Sequence, residues 1–231
     1  MKKNVILLSL SMIAIVGTML TGCKKDDTTA PTITLTGASS LELSLNSGAW
    51  TDLGATATDD VDGAVTVTSD ASSSNPNVNK VGTYTISYTA QDAAGNVQVE
   101  IRTIRVKNDA ENFAGLYQVH DTVPGAFFNY AQTISVDSSV NNRVHFSRFA
   151  DYANNSGVYA TKLGNGNLEI PLQTTATDIG SGPNPCDVAT HQFSSTSFTA
   201  NASGFVLNYT DALVSPCSGT TQGTATYTKQ P

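Results

Sequence analysis

The strongest constraint on this chain is a period-two alternation of apolar and small polar residues. Between Thr83 and Thr89, Tyr84, Ile86 and Tyr88 fall on one face, while Thr85, Ser87 and Thr89 fall on the other. Successive side chains of a strand point to opposite faces, so a run of this kind is a strand with one buried and one wet face. The pattern recurs at Thr32–Leu35, Leu41–Leu45, Val65–Thr68 and Val97–Val106. It recurs again at Gly115–Asp121, Tyr130–Asp137, Arg143–Phe149, Gly157–Leu163, Asn167–Thr174, Gln192–Ala200, Gly204–Thr210 and Gly223–Lys229. Short alternating runs separated by Gly, Asp, Asn and Pro predict an all-β chain.

The N-terminus is of another kind. Lys2 and Lys3 precede an apolar run from Val5 to Leu20, which ends in Leu20-Thr21-Gly22-Cys23. This is the layout of a signal peptide with a lipobox, in which residues 1–22 are removed and the Cys23 thiol takes the lipid. The run falls short of the ~20 apolar residues that cross a bilayer. Lipid chains contribute about 0.8 kcal/mol per buried CH₂, so several on one cysteine form a durable membrane anchor. The following residues, 23–30, read as a solvated tether. Within them Lys24-Lys25-Asp26-Asp27 resembles the signal that sends Bacteroidota lipoproteins to the outer face of the outer membrane, which implies a cell-surface location.

Removing residues 1–22 takes away two lysines and leaves 209 residues with 10 Lys+Arg against 19 Asp+Glu, a charge of −9. That balance argues against a nucleic-acid partner. The mature length suits two small domains, 31–107 and 108–231, joined by the polar link Asn108–Glu111.

The first domain carries specific motifs: Ala30-Pro31-Thr32-Ile33-Thr34-Leu35, then Leu53-Gly54-Ala55-Thr56-Ala57-Thr58-Asp59-Asp60-Val61-Asp62-Gly63. Val81-Gly82-Thr83-Tyr84-Thr85-Ile86-Ser87-Tyr88-Thr89-Ala90 and Asp92-Ala93-Ala94-Gly95-Asn96 follow. Together they resemble the bacterial immunoglobulin-like domain related to the HYR module, also found in an insecticidal crystal protein. The resemblance covers about a third of the chain. It implies a β-sandwich serving as a spacer or adhesive unit, and no activity, because fold alone does not specify function.

Asp59, Asp60, Asp62, Asp92 and Asn96 form a metal-like constellation, hard oxygen ligands on two loops of the kind calcium prefers. The competing reading is turn chemistry, with Asp and Asn closing turns through their own backbone and Gly63 and Gly95 supplying positive φ. The spacing matches no EF-hand, which weighs toward turns. No other cofactor is expected. Trp50 is read as partly buried core at a strand start rather than a sugar platform.

The second domain holds all three histidines and eight alternating runs in up-and-down order, which predicts a small antiparallel barrel or a sandwich. Its first run, Gly115-Leu116-Tyr117-Gln118-Val119, and its last, Gly223-Thr224-Ala225-Thr226-Tyr227-Thr228-Lys229, resemble the end strands of lipocalin-like domains in Bacteroidota lipoproteins. That resemblance implies architecture and no ligand. With Cys23 lipidated, Cys186 and Cys217 remain, and an even pair in an exported domain reads as a disulfide. In the chain-entropy model a closed loop of about 30 residues contributes roughly 3–4 kcal/mol.

No catalytic constellation emerges. His120, His145 and His191 are scattered, with no His-x-His, H-E-x-x-H or Gly-x-Ser-x-Gly pattern, so each reads as an ordinary strand or loop residue. Carboxylate pairs for glycoside chemistry are set by fold and not by spacing; Glu169 and Asp211, for instance, lie in or beside predicted strands, and Glu169 is the one glutamate well inside the second domain. The expectation is therefore a protein that is not an enzyme. Phe127, Phe128 and Tyr130 beside Val123-Pro124-Gly125 are candidate ligand-binding rings, because exposed aromatics stack on sugars and recognise peptides. Alternation places Phe128 and Tyr130 on one face, which also suits a barrel lid or core. Two functions follow. One is surface binding, with polysaccharide capture beside an outer-membrane transporter. The other is a structural or adhesive envelope role without a small-molecule ligand.

Overall fold

A computed structural model of the 231-residue chain describes residues 26–152, 157–176, 190–215 and 217–231. The signal segment with Cys23 lies outside the described residues, as does Cys186. Among the described residues the chain forms sixteen strands and one short 3₁₀ helix.

The N-terminal domain is a sandwich of two small sheets. Strands β1 (Thr32–Leu35), β3 (Ala55–Asp59) and β4 (Gly63–Val65) make one sheet in the order β1-β3-β4. Strands β2 (Ser40–Ser44), β5 (Val67–Ser69), β6 (Gly82–Gln91) and β7 (Val97–Lys107) make the other, in the order β2-β7-β6-β5. The β2–β7 pair is parallel and the remaining pairs are antiparallel. Ile86, Tyr88 and Ile104 are fully buried, with Ile33, Leu35, Leu41, Leu43, Trp50 and Val67 packed around them. Trp50 is thus part of the core, as its position suggests. The run at Val65–Thr68 divides into β4 and β5. The alternation alone does not reveal β3, whose residues Ala-Thr-Ala-Thr-Asp offer little apolar signal.

One charged residue sits inside this core. Arg102 is fully buried, and its guanidinium donates to Ala38 O (3.1 Å), Asp52 Oδ1 (3.1 Å), Tyr88 Oη (2.8 Å), Thr36 O (2.6 Å) and Gly54 O (3.3 Å). Buried charge is tolerable only when paired and hydrogen-bonded throughout, and here all three guanidinium nitrogens have acceptors. The Tyr88 hydroxyl in turn donates to Asp52 Oδ1 at 2.5 Å. Burial and the Asp52 carboxylate push the Tyr88 hydroxyl up to about 12, so it stays protonated and keeps donating.

The C-terminal domain is a curled antiparallel half-barrel. Its strands are β8 (Gly115–Val123), β9 (Ala126–Val136), β10 (Arg143–Phe146), β11 (Tyr159–Lys162), β12 (Leu168–Glu169), β13 (Gln173–Ala176), β14 (Thr190–Asn201), β15 (Gly204–Ser215) and β16 (Gly219–Lys229). They form one nine-stranded sheet, ordered β12-β11-β10-β9-β8-β16-β15-β14-β13. The single run expected over Asn167–Thr174 splits at Pro171. Proline has no N–H for the ladder, so pairing breaks there and the chain changes neighbour. Before Pro171 it pairs with β11, and after it with β14. Bonds across the break bridge the two edges of the curl. Ser195 N–H donates to Ile170 O at 2.9 Å, and the Gln173 amide accepts from Tyr159 N–H (3.1 Å) and donates to Tyr159 O (2.8 Å).

The interior is aromatic. Phe146, Phe149, Phe193, Phe205, Tyr117, Tyr209 and Tyr227 are all buried. At one end, Phe113 of the 3₁₀ helix Glu111–Phe113 packs edge-on against Phe198 and Phe205, each with ring centres 6.0 Å apart. That end is closed by rings.

The polar link between the domains is a fixed joint. Asn108 is 1% exposed. Its amide donates to Asp137 O and Val140 O (both 2.9 Å), and its Oδ1 accepts Ala110 N–H (2.9 Å) and Asn142 N–H (3.0 Å). Val81 N–H donates to Ser138 O (3.1 Å), and the Asn46 amide donates to Ser139 O (2.9 Å). All these groups lie at the Phe113 end of the half-barrel, so the opposite end points away from the immunoglobulin-like domain.

Candidate functional site

The far end of the half-barrel is built differently. Strand parity sends Tyr117, Val119 and Asp121 of β8, Tyr130, Gln132 and Ile134 of β9, and His191 and Phe193 of β14 into the interior, where all are buried. Asp121, Gln132 and His191 therefore occupy positions that the pattern reserves for apolar side chains. Asp121 Oδ2 accepts the hydroxyls of Tyr209 (2.9 Å) and Tyr130 (3.3 Å). Burial raises the Asp121 carboxyl above the ordinary range, and the two tyrosine bonds only partly offset this. The same burial, with the Asp121 carboxylate beside them, drives both tyrosine hydroxyls far up, so they remain donors.

A second set lies at the rim. His191 Nδ1 stands 2.6 Å from Asp211 Oδ1, and the Tyr152 hydroxyl donates to Asp211 Oδ2 at 3.0 Å. The His191 ring stacks on Phe193 and lies 4.8 Å from Tyr152 between ring centres. Asp121 Oδ1 and His191 Nε2 are buried here without a hydrogen-bond partner, and so are both amide atoms of Gln132 deeper in the half-barrel, level with Tyr117. Buried polar groups are almost always satisfied, so these atoms stand out in an otherwise aromatic interior.

Above this network opens a cavity of about 330 Å³, lined by Phe128, Ala150, Asp151, Tyr152, Tyr209 and Asp211 with Val123 and Thr221. Tyr209 and Asp211 belong to both the wall and the network beneath. Ala150 and Asp151 are consecutive non-glycine residues with positive φ (52° and 61°), closed by a Phe149–Tyr152 bridge. Each such residue costs on the order of 1 kcal/mol, a strain that clusters at functional sites. The turn aims Tyr152 and the Asp151 carboxylate into the mouth. Arg148 pairs with Asp151 and stacks over Tyr130 at 5.2 Å. Two wider hollows, about 640 and 570 Å³, open beside the joint. The first is walled mainly by loop residues, while strand residues such as Phe198, Phe205 and Lys229 make up about half of the second.

Of the three rings expected to bind ligand, the structure gives each a different place. Tyr130 is interior, Phe128 is 40% exposed at the mouth, and Phe127 is 64% exposed on the outside, 5.5 Å from the His120 ring. They lie within β9 itself, with Pro124-Gly125 as the turn. His120 bonds Asn129 on the outer surface (2.8 Å), and His145 bonds Asp137 (2.8 Å). Only His191 joins the mouth. Glu169 stays on the outward face of β12, far in register from Asp211. Cys217, in the β15–β16 loop at this end, is disulfide-bonded.

In the immunoglobulin-like domain the five expected oxygen donors separate into two groups. Asp62 Oδ2 accepts Ala93 N–H (2.7 Å), and Asp92 accepts both the backbone (2.7 Å) and side-chain (2.8 Å) amides of Asn96. These three residues brace the two turns against each other. Asp59 closes its turn by accepting Asp62 N–H (3.0 Å), and with Asp60 it clusters with Asp27 of the tether.

The chain is all-β, a sandwich of two small sheets followed by a nine-stranded half-barrel with an open mouth. Residues 33–106 match the family described as bacterial surface protein, Ig-like domain, the module that the motifs of this region resemble. The crystal structure of a lipoprotein from Bacteroides thetaiotaomicron is similar at 16% sequence identity and a TM-score of 0.32, over 86% of this chain and 100% of that one. No curated protein matches the chain.

Proposed function

We propose that this chain is a lipid-anchored protein of the outer-membrane surface whose half-barrel mouth binds a small polar ligand, with a sugar unit of a polysaccharide as the chemistry that fits, and without catalysis. The reading rests chiefly on the mouth, where the exposed ring of Phe128 and the half-buried ring of Tyr152 line one concavity with Asp151 and Asp211. Aromatic faces stack on the C–H faces of sugars, while carboxylates accept sugar hydroxyls. Anchored through Cys23, the chain would carry this mouth on the side of the half-barrel away from the immunoglobulin-like spacer, in position to pass a ligand to a transporter. A structural or adhesive role for the spacer is favoured by one observation: Val97, Val99 and Ile101 form a row on the outer face of β7, each about half exposed.

The test is a glycan array and calorimetry with the mature chain. Binding is expected to weaken about tenfold in Phe128→Ala or Tyr152→Ala, the loss of roughly 1.4 kcal/mol that one stacked ring supplies. Failure to bind any polysaccharide sinks the glycan reading, and retention of full affinity in both variants sinks the mouth as its location.

A further inference from the structure

Asp27 and Asp59 leave a charge uncompensated. Each uses Oδ1 to close a local turn: Asp27 accepts Thr29 N–H (3.0 Å), and Asp59 accepts Val61 N–H (2.9 Å) and Asp62 N–H (3.0 Å). These bonds fix the carboxylates and aim the second oxygens. Asp27 Oδ2 and Asp59 Oδ2 are both buried, and neither has a hydrogen-bond donor. A carboxylate oxygen of the exposed Asp60 completes a trio whose atoms all lie within 4.8 Å of one another. Among the described residues no lysine, arginine or histidine pairs with any of the three. Two carboxylate oxygens buried without a donor, beside a third carboxylate, are a concentration of charge that a cation would neutralise.

The donor set selects which cation. Three hard carboxylates with no nitrogen or sulfur among them suit calcium, whose coordination is irregular and oxygen-only, better than zinc or copper. The surroundings hold the trio in place. The Asn96 amide, fixed by Asp92, donates to Asp27 O (3.2 Å) and Thr29 O (3.1 Å), so the tether is fastened to the Asp92–Asn96 turn. Asp62 ties the Asp59–Gly63 turn to that same turn through Ala93.

We propose that Asp27, Asp59 and Asp60 bind a calcium ion that fastens the segment just after Cys23 to the immunoglobulin-like domain. Three carboxylates completed by water place the affinity in the class of extracellular modules, a Kd on the order of 10⁻⁴–10⁻³ M. Because Asp27 lies four residues after Cys23, the ion would set the stance of the stalk on the membrane. That consequence rests on lipidation of Cys23, whereas the site itself does not.

Calorimetric titration of calcium chloride into the chelator-stripped mature chain in detergent micelles is expected to show one ion per chain. Asp27→Asn and Asp59→Asn should each weaken binding by roughly tenfold or more, while Asp26→Asn should leave it unchanged. Asp27 lies outside every strand, so its variant keeps the fold, as circular dichroism will verify. Calcium should also raise the melting temperature of the wild type and not that of Asp27→Asn. Absence of heat at millimolar calcium, or equal affinity in both Asn variants and the wild type, overturns the proposal. Neither readout depends on the mouth of the half-barrel.

Discussion

Gly223 of β16 faces Tyr209 of β15 in register, and that absence of a side chain holds the mouth open. A Cβ at position 223 would lie 2.2 Å from Tyr209 Cζ and 2.5 Å from its hydroxyl oxygen. Both distances are far inside van der Waals contact, so in Gly223→Ala the ring must leave. Its hydroxyl then loses Asp121 Oδ2 at 2.9 Å, and Asp121 keeps only the longer Tyr130 bond at 3.3 Å. Overpacking of this kind costs about 1–3 kcal/mol. A lost hydrogen bond to a buried, potentially charged acceptor adds about 1.5–3 kcal/mol. The expected destabilisation is therefore about 2.5–6 kcal/mol, which for a domain of this size lowers the melting temperature by roughly 10–24 °C. Differential scanning calorimetry of the mature chain should show the shift in the half-barrel transition and leave the immunoglobulin-like transition in place. Adding Tyr209→Leu should recover part of the loss by removing the clash, giving a coupling energy of opposite sign. A Gly223→Ala variant that melts within about 3 °C of wild type would refute the reasoning.

Two further outcomes follow from buried charge. Arg102→Leu strands Asp52, Tyr88 and the carbonyls of Thr36, Ala38 and Gly54, and should destabilise the immunoglobulin-like domain by about 3 kcal/mol, the lower end for a broken buried pair because Asp52 is partly solvated; urea unfolding reads the loss, and a shift under about 1 kcal/mol contradicts it. The raised Asp121 carboxyl means that the folded chain holds this proton more tightly than the unfolded chain does. Its contribution is fully present at low pH and is lost as pH rises from the ordinary value of 3.8 through the raised one. Asp121→Asn should remove that fall and gain stability over the wild type at neutral pH, and a stability difference between the two that does not vary with pH would count against it.

Much of this was legible because strand pairing reports locally. Parity in Thr83–Thr89 places Ile86 and Tyr88 in the core, and Gly115–Asp121 puts Tyr117 and Val119 there. The interior polar residues carry the same signal. Arg102 shares parity with Ile104 and Val106, Asp121 with Tyr117 and Val119, Gln132 with Tyr130 and Ile134, and His191 with Phe193. A polar residue on the inward parity of an otherwise apolar strand is the signature of a buried network. Three features had no local signature. Asp27 meets Asp59 across 32 residues of chain, Asp211 meets His191 only through the β14–β15 register, and the change of partner at Pro171 depends on where β14 lies.

The two ends of the half-barrel obey different rules, and that asymmetry argues for function at one of them. At the joint end, Phe113 meets Phe198 and Phe205 edge-on while those two rings stack on each other, and the polar groups of Asn108 are satisfied. At the mouth, Ala150 and Asp151 hold positive φ, a conformation that suits the asparagine Asn142 at the joint better than an alanine, and Asp121 Oδ1 and His191 Nε2 are buried without partners. An unsatisfied buried group costs about 1–3 kcal/mol, a sizeable share of the whole stability of a small domain. A chain stabilised by packing alone would fill those positions with apolar or aromatic side chains, as it does at Val119 and Phe193 of the same strands. Water or a bound ligand is the partner that satisfies groups of this kind. Because the open wall of the cavity is Tyr152, Asp211 and Phe128, a ligand that meets them enters through side chains able to stack and to accept hydrogen bonds.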